Sequence, residues 1–433
     1  VTEQQRDHGL VRSVGPWGLT ASIVNIIVGA GIFAVPAALA ASIGPYAPLA
    51  FVACAVAVGA VAICFAEGGS RIPTSGGVYG YIESAFGPLA GYVAGTLLWL
   101  GNVLACGGVS AALADVAASV LPPHARAPAH AAVIVAVIGG IAFVNIGGAA
   151  RGVSFINAAT MIKLIPLAVF IIAGAGAIHG TNFLPTVQPS TGGLGRALIL
   201  ALFAFTGMET SLTASGEVAQ PARTIPKALA RSLLIVTMLY VAVQVIAQGI
   251  LGASLARSTV PLADAMAQIS PALRALMLVG AALSMFGWLG SDLLGSPRML
   301  FAFARDGRLP SMLGRVHPRT HAPHVAITTY AIIAIVLALT GTFAELAVLA
   351  TLTSSVLYIG GCAAAWRLAR TGVALAGEPL NFRWLRAAML IGIFSMAALI
   401  TLAAREEIVG LAIVLAVSVL VYWLSNRRLP AQE

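Results

Sequence analysis

Stretches of about 20 apolar residues recur twelve times along this 433-residue chain, and no other feature constrains its fold as strongly. They lie near 17 to 42, 46 to 66, 84 to 119, 131 to 148, 155 to 178, 194 to 218, 229 to 252, 272 to 304, 324 to 343, 345 to 369, 384 to 404 and 407 to 425. Coiled into a helix, a run of that length matches the hydrocarbon thickness of a bilayer. The pattern predicts an all-α polytopic membrane protein with 12 transmembrane helices. With 59% hydrophobic and 9% charged residues, the chain falls far below the charge content of an ordinary soluble enzyme.

The net charge of +9 is unevenly placed: about 18 of the 24 lysines and arginines fall on one side of the predicted spans and about five on the other. That bias predicts a multi-pass protein of the cell inner (cytoplasmic) membrane with both termini cytoplasmic. Arg298, Arg305, Arg308, Arg315 and Arg319 form the densest cluster, and Arg367, Arg370, Arg383 and Arg386 the next. Arginine beside a bilayer reads as a topology signal attracted to membrane lipid, not as a surface for nucleic acid. The polar residues 1 to 16 precede a run too long for a signal-peptide core, so the first span is expected to stay. Cys54, Cys64, Cys106 and Cys362 lie inside apolar runs as small hydrophobes, and no disulfide framework is expected.

Residues 17 to 178 hold five runs and 194 to 369 hold five more, each block opening on an interrupted run. Five is odd, so the second block enters the membrane from the opposite side, which predicts two inverted five-helix repeats. Residues 384 to 425 add two further, peripheral helices, and 1 to 16 and 426 to 433 are cytoplasmic ends. The third and eighth runs exceed the bilayer's need, which predicts tilting or projection.

The interruptions are chemically specific. Val28-Gly29-Ala30-Gly31-Ile32-Phe33 leaves main-chain amides free of bulky side chains at membrane depth, where irregular backbone is tolerated only beside a cavity or inside protein. A half-helix N-terminus follows, and its unpaired amides at Ala30, Gly31 and Ile32 suit a carboxylate. Gly-x-Gly also permits close helix packing, and both readings stand here. In the sixth run, Phe203-Ala204-Phe205-Thr206-Gly207-Met208-Glu209 would leave carbonyl oxygens unpaired, natural partners for an ammonium group. Donors from one break and acceptors from the other fit a zwitterion. Phe203 and Phe205 either line the pocket or pack beside it.

The segments GAGIFAVPAALA (29 to 40), PTSGGVYGYIESAFGPLAGY (73 to 92), FAFTGMETSLTASGEVAQPARTIPKAL (203 to 229) and PRMLFAFARDGRLP (297 to 310) carry a resemblance. By them the chain resembles an amino-acid permease of the amino acid/polyamine/organocation (APC) superfamily over essentially all twelve runs. The resemblance implies broken helices 1 and 6, alternating access, and substrate held by main chain at both breaks. It places the carboxylate at Ala30 and Gly31, with Gly29 beside them, and the amino group at the carbonyls of Phe203 and Thr206, next to Gly207.

Lys163 is one of two lysines and sits at depth in the fifth run, where a lysine costs roughly 2.5 to 3.5 kcal/mol to insert. It either snorkels or titrates; the resemblance implies that it replaces a sodium ion and couples protonation to gate closure. Glu209 follows the second break and can gate, relay a proton or hold the unwound segment. Asp292 departs from the neutral or aromatic residue common in relatives. It can select a cationic side chain, pair with Lys163 or face a vestibule. Asp115 and Asn102 read more simply as helix-helix hydrogen bonders.

All seven histidines lie outside or at the edges of the runs, and no HExxH, nucleophile elbow or Walker A motif occurs, so a membrane enzyme is disfavoured and no cofactor or metal is expected. His317-Pro-Arg-Thr-His321-Ala-Pro-His324 reads as a solvated loop. The expectation is a secondary active amino-acid transporter, proton-coupled by symport, with an exchanger (antiporter) of amino acids or polyamines as the alternative. Neither oligomeric state nor substrate side chain is specified.

Overall fold

The computed structural model describes residues 14–72, 77–147, 163–184, 189–212, 218–375 and 379–426. Helices α1 (Pro16–Ile27) and α2 (Gly31–Ile43) share the first apolar run, and α3 (Ala47–Arg71) takes the second. The short α4 (Gly77–Phe86) leads into α5 (Pro88–Ala118), followed by α6 (Pro123–Ile146) and α7 (Leu164–Gly174). The sixth run holds α8 (Thr191–Phe205) and the single turn α9 (Met208–Ser211). Then come α10 (Pro221–Leu251), α11 (Pro261–Ala267), α12 (Pro271–Gly295) and α13 (Pro297–Arg305). The chain continues through α14 (His324–Thr340), α15 (Phe343–Thr371), α16 (Leu385–Thr401) and α17 (Arg405–Asn426). The protein is an all-helical membrane protein. Among the described residues, eight helical stretches are long and apolar enough to cross a bilayer, and α1, α7, α14 and α16 are shorter apolar helices.

Proline and glycine set most of these boundaries. Pro16, Pro88, Pro123, Pro221, Pro261, Pro271 and Pro297 each open a helix at its first position, where a missing amide costs nothing. The same device divides the two long runs, which still hold helical stretches of 31 and 35 residues, beyond the bilayer's need. The third run does not begin at 84: Gly87 (φ 90) and Pro88 end α4 and start α5. The eighth splits at Ser296-Pro297 into α12 and α13. Residues 155 to 162 of the fifth run, 213 to 217 of the sixth, and most of both terminal segments lie outside the described residues. So do 73 to 76 of the second matching segment.

Burial grades from centre to rim. In its most apolar window α5 is 78% buried, whereas α17 is 11% buried and turns Trp423, Leu420 and Ile413 outward, as a helix facing lipid does. Phe51, Phe205 and Tyr240 form one fully buried aromatic cluster, with Tyr240 5.3 Å from the Phe51 ring and 5.4 Å from Phe205. Buried polar side chains fasten the ends. Arg71, 3% exposed, donates to Glu67 Oε1 at 2.8 Å and to Asn381 Oδ1 at 2.7 Å. The Phe382 amide donates to Glu67 Oε2 at 2.9 Å, so the end of α3 clasps the segment joining α15 to α16. A parallel bridge pairs Val14 with Val218.

Candidate functional site

The two interruptions meet in space because glycine allows it. α1 stops when Val28 leaves the helix (φ −74, ψ 73), and the Gly29 amide turns back to the Ile27 carbonyl at 2.7 Å. α2 starts at Gly31, so the amides of Ala30, Gly31 and Ile32 fall where a helix offers no internal acceptor. A Cβ on Gly31 would stand 3.2 Å from the Ala204 Cα. Gly207 sits at φ 116, and a Cβ there would come 2.8 Å from Ile26 Cγ2. Both the close-packing and the exposed-backbone readings of these glycines therefore describe one arrangement.

At the second break, Thr206 folds back on the Phe203 carbonyl, its amide at 3.1 Å and its hydroxyl at 2.7 Å. An ammonium at that carbonyl would compete with Thr206. Glu209 Oε2 accepts the Gly207 amide at 3.0 Å and the Tyr358 hydroxyl at 2.7 Å, so this carboxyl holds the unwound segment against α15. Tyr240 on α10 reaches both breaks: its hydroxyl lies 2.8 Å from the Ile27 carbonyl oxygen and 2.9 Å from that of Ala204.

Lys163, 4% exposed, donates its Nζ to the Asn25 carbonyl in the last turn of α1 and does not snorkel. Asp292 is engaged elsewhere. Its Oδ1 accepts the Ser296 hydroxyl and its Oδ2 the Tyr330 hydroxyl, both at 2.6 Å, and Asn102 donates to Ser296 Oγ at 3.0 Å. The ion pairs among the described residues join Arg71 to Glu67, His130 to Asp115 and Arg196 to Glu407, so the expected alternative of a Lys163–Asp292 pair is not formed. Asp115 meets His130 at 3.3 Å, a link between α5 and α6.

One cavity of about 560 Å³ collects these groups. Gly29, Ala30 and Gly31 line it from the first break, Phe203, Thr206, Gly207 and Glu209 from the second, and Lys163 and Asp292 from the flanks. Two expected members do not reach it. Ile32 is fully buried in the core, and the Phe205 ring turns into the cluster with Phe51 and Tyr240. Phe203 borders the cavity and packs edge-on against Phe343, ring centres 5.6 Å apart. Leu98, Gly101, Ala105 and Val109 of α5, Trp288 of α12 and Ala350 of α15 add an apolar wall. At the expected loop, His317 Nδ1 accepts the amides of Arg319 and Thr320 at 3.3 Å, which shapes a turn.

The sequence profile of the amino acid permease family matches residues 14–424. The chain belongs to that family. This permease is similar to a branched-chain amino acid permease of Bacillus subtilis, 29% identical over 74% of this chain and 73% of the relative. It is also similar to a methylthioribose transporter of the same organism, 27% identical over 75% and 74%. An uncharacterized transporter of Mycobacterium tuberculosis is 34% identical over 69% and 67%. The family is one of transporters, not enzymes.

Reading the permease from its sequence missed Tyr240, Trp288, Tyr330 and Tyr358. For Tyr240 the signal was present: Tyr240, Gln244 and Gln248 recur every fourth residue in an apolar run, which places three polar groups on one helix face. Trp288, Tyr330 and Tyr358 carry no comparable pattern and are found only in the structure, Trp288 by its place on the cavity wall, Tyr330 by its bond to Asp292 and Tyr358 by its bond to Glu209.

Proposed function

We propose that this permease carries a neutral amino acid with an apolar side chain across the cytoplasmic membrane, by alternating access and with proton symport. The observation that carries the reading is the single cavity shared by both helix breaks and Lys163. Its size lies within the range of small-molecule pockets. The substrate carboxylate meets the amides of Ala30 and Gly31 at the positive end of α2. The ammonium faces the Thr206 carbonyl and, when the Thr206 hydroxyl turns away, that of Phe203. The side chain enters the apolar wall at Gly101, Ala105 and Ala350.

Asp292 argues against the cationic alternative, because both its oxygens already accept neutral donors. The relative named for branched-chain amino acids favours the same substrate class. Lys163 supplies the coupling group, its ammonium binding the α1 end through a charge-assisted hydrogen bond that weakens when the proton leaves. The scaffold we infer is twelve membrane crossings, with two inverted five-helix repeats over 17 to 178 and 194 to 369. Both termini are cytoplasmic. Arg298 and Met299 mark the end of the cavity nearest the arginine-rich 305 to 319 segment, so this conformation is read as open to the cytoplasm.

Counterflow of labelled leucine in proteoliposomes tests the reading. Competition is expected from isoleucine, valine and methionine and not from lysine or arginine, and an inward proton gradient should drive accumulation. Competition by lysine alone would return the reading to cationic substrates. Competition by methylthioribose alone would remove the amino acid. Exchange unaffected by any proton gradient would favour antiport.

A further inference from the structure

Helix α10 presents Tyr240, Gln244 and Gln248, none more than 2% exposed, on one face at four-residue spacing. Each holds a different part of the molecule. Gln248 Nε2 donates to the Asn182 carbonyl at 3.2 Å and Gln244 Nε2 to the Pro36 carbonyl at 3.3 Å. Tyr240 alone serves two partners, and both are carbonyls from the last turns of half-helices, Ile27 in α1 and Ala204 in α8.

Those two ends converge with the same sign of charge. A helix C-terminus carries the negative end of the backbone dipole, so two facing C-termini repel unless a donor stands between them. The Tyr240 hydroxyl stands there. It has one proton for two acceptors, at nearly equal distances of 2.8 and 2.9 Å, so the bond to either carbonyl survives a displacement of the other. A phenylalanine would fill the same space between Phe51 and Phe205; only the hydroxyl requires tyrosine.

We propose that Tyr240 is the hinge pin between the two broken helices, a positioning residue that keeps both half-helix ends together while its proton shifts from one carbonyl to the other as the halves rotate. The inference rests on the transport reading, in which α1 and α8 approach from opposite membrane faces.

Tyr240→Phe in purified permease tests it. Removing the shared donor is expected to raise amide hydrogen exchange at both breaks, in the segments 24–33 and 200–210, without substrate present. In leucine counterflow, turnover should fall at least about tenfold while half-saturation stays within about threefold, because the pin acts on movement and not on binding. Phe51→Leu, which loosens the same ring and keeps its hydroxyl, should lower thermal stability without that split. Faster exchange at one break only, or at neither, overturns the proposal, as does turnover within about twofold of the wild type. If Tyr240→Phe does not accumulate, 3-fluorotyrosine at 240, a stronger donor, should slow exchange at both breaks; unchanged exchange overturns the proposal. Absence of counterflow in the wild type would sink the transport reading and leave the exchange result to judge the pin.

Discussion

Lys163 and Asp292 show how burial and partner choice divide the work of charged groups at membrane depth. Among the described residues Lys163 has a single carbonyl partner, in α1, and no carboxylate, so loss of its proton turns a charge-assisted hydrogen bond into a weaker neutral one. Lys163→Met should insert normally, keep its monodisperse gel-filtration profile, and lose at least about tenfold in proton-driven uptake, the scale of a missing coupling group. Unchanged uptake at every pH would take Lys163 out of the mechanism. Asp292 instead belongs to a network with Tyr330, Ser296 and Asn102. Asp292→Asn should therefore change counterflow of leucine, isoleucine and methionine by similar factors, with lysine and arginine still failing to compete; competition by lysine or arginine in the wild type that the variant selectively loses would make Asp292 a side-chain sensor. The sequence located both residues but left their partners open, because a partner 38 positions away on another helix, as Tyr330 is, leaves no local signal.

The breaks are properties of elements, since neither exists without the other. Gly207 needs φ 116 and has Ile26 against it, and Gly31 rests on Ala204. Gly207→Ala combines a left-handed alanine, costing about 1–2 kcal/mol, with a contact that must shift. It should abolish the thermal stabilisation that substrate confers on the wild type, read in a melting assay with leucine. The α3 clasp offers a second element-scale test. Arg71→Met strands Glu67 as a buried, unpaired carboxylate, and truncating one member of such a pair costs about 3–5 kcal/mol. The melting temperature of the detergent-solubilised permease should fall accordingly, with Glu67→Gln milder because an amide oxygen still accepts the Phe382 amide.

Across the whole molecule the proposed topology has sharp consequences for labelling. All four cysteines are buried, so an introduced thiol is read against a low background. Thr259→Cys, between α10 and α11, should react with an impermeant maleimide in intact cells. Ser311→Cys, between α13 and α14, should react only after permeabilisation. The reverse pattern would invert the orientation taken from the arginine bias.

Sequence by itself determined that this chain is a helical membrane protein of the permease family, and marked both breaks, because apolar run length and glycine content are local and the bilayer leaves backbone few options. It also flagged Lys163, Glu209 and Asp292 as charges out of place. Only the tertiary structure decided what each one touches. It turned Phe205 away from the cavity, gave Glu209 to Tyr358 and Gly207, and set Tyr240 between two carbonyls 177 residues apart in the chain, Ile27 and Ala204. Those contacts depend on how separate helices rotate and cross, and packing between distant segments is not written in any one of them.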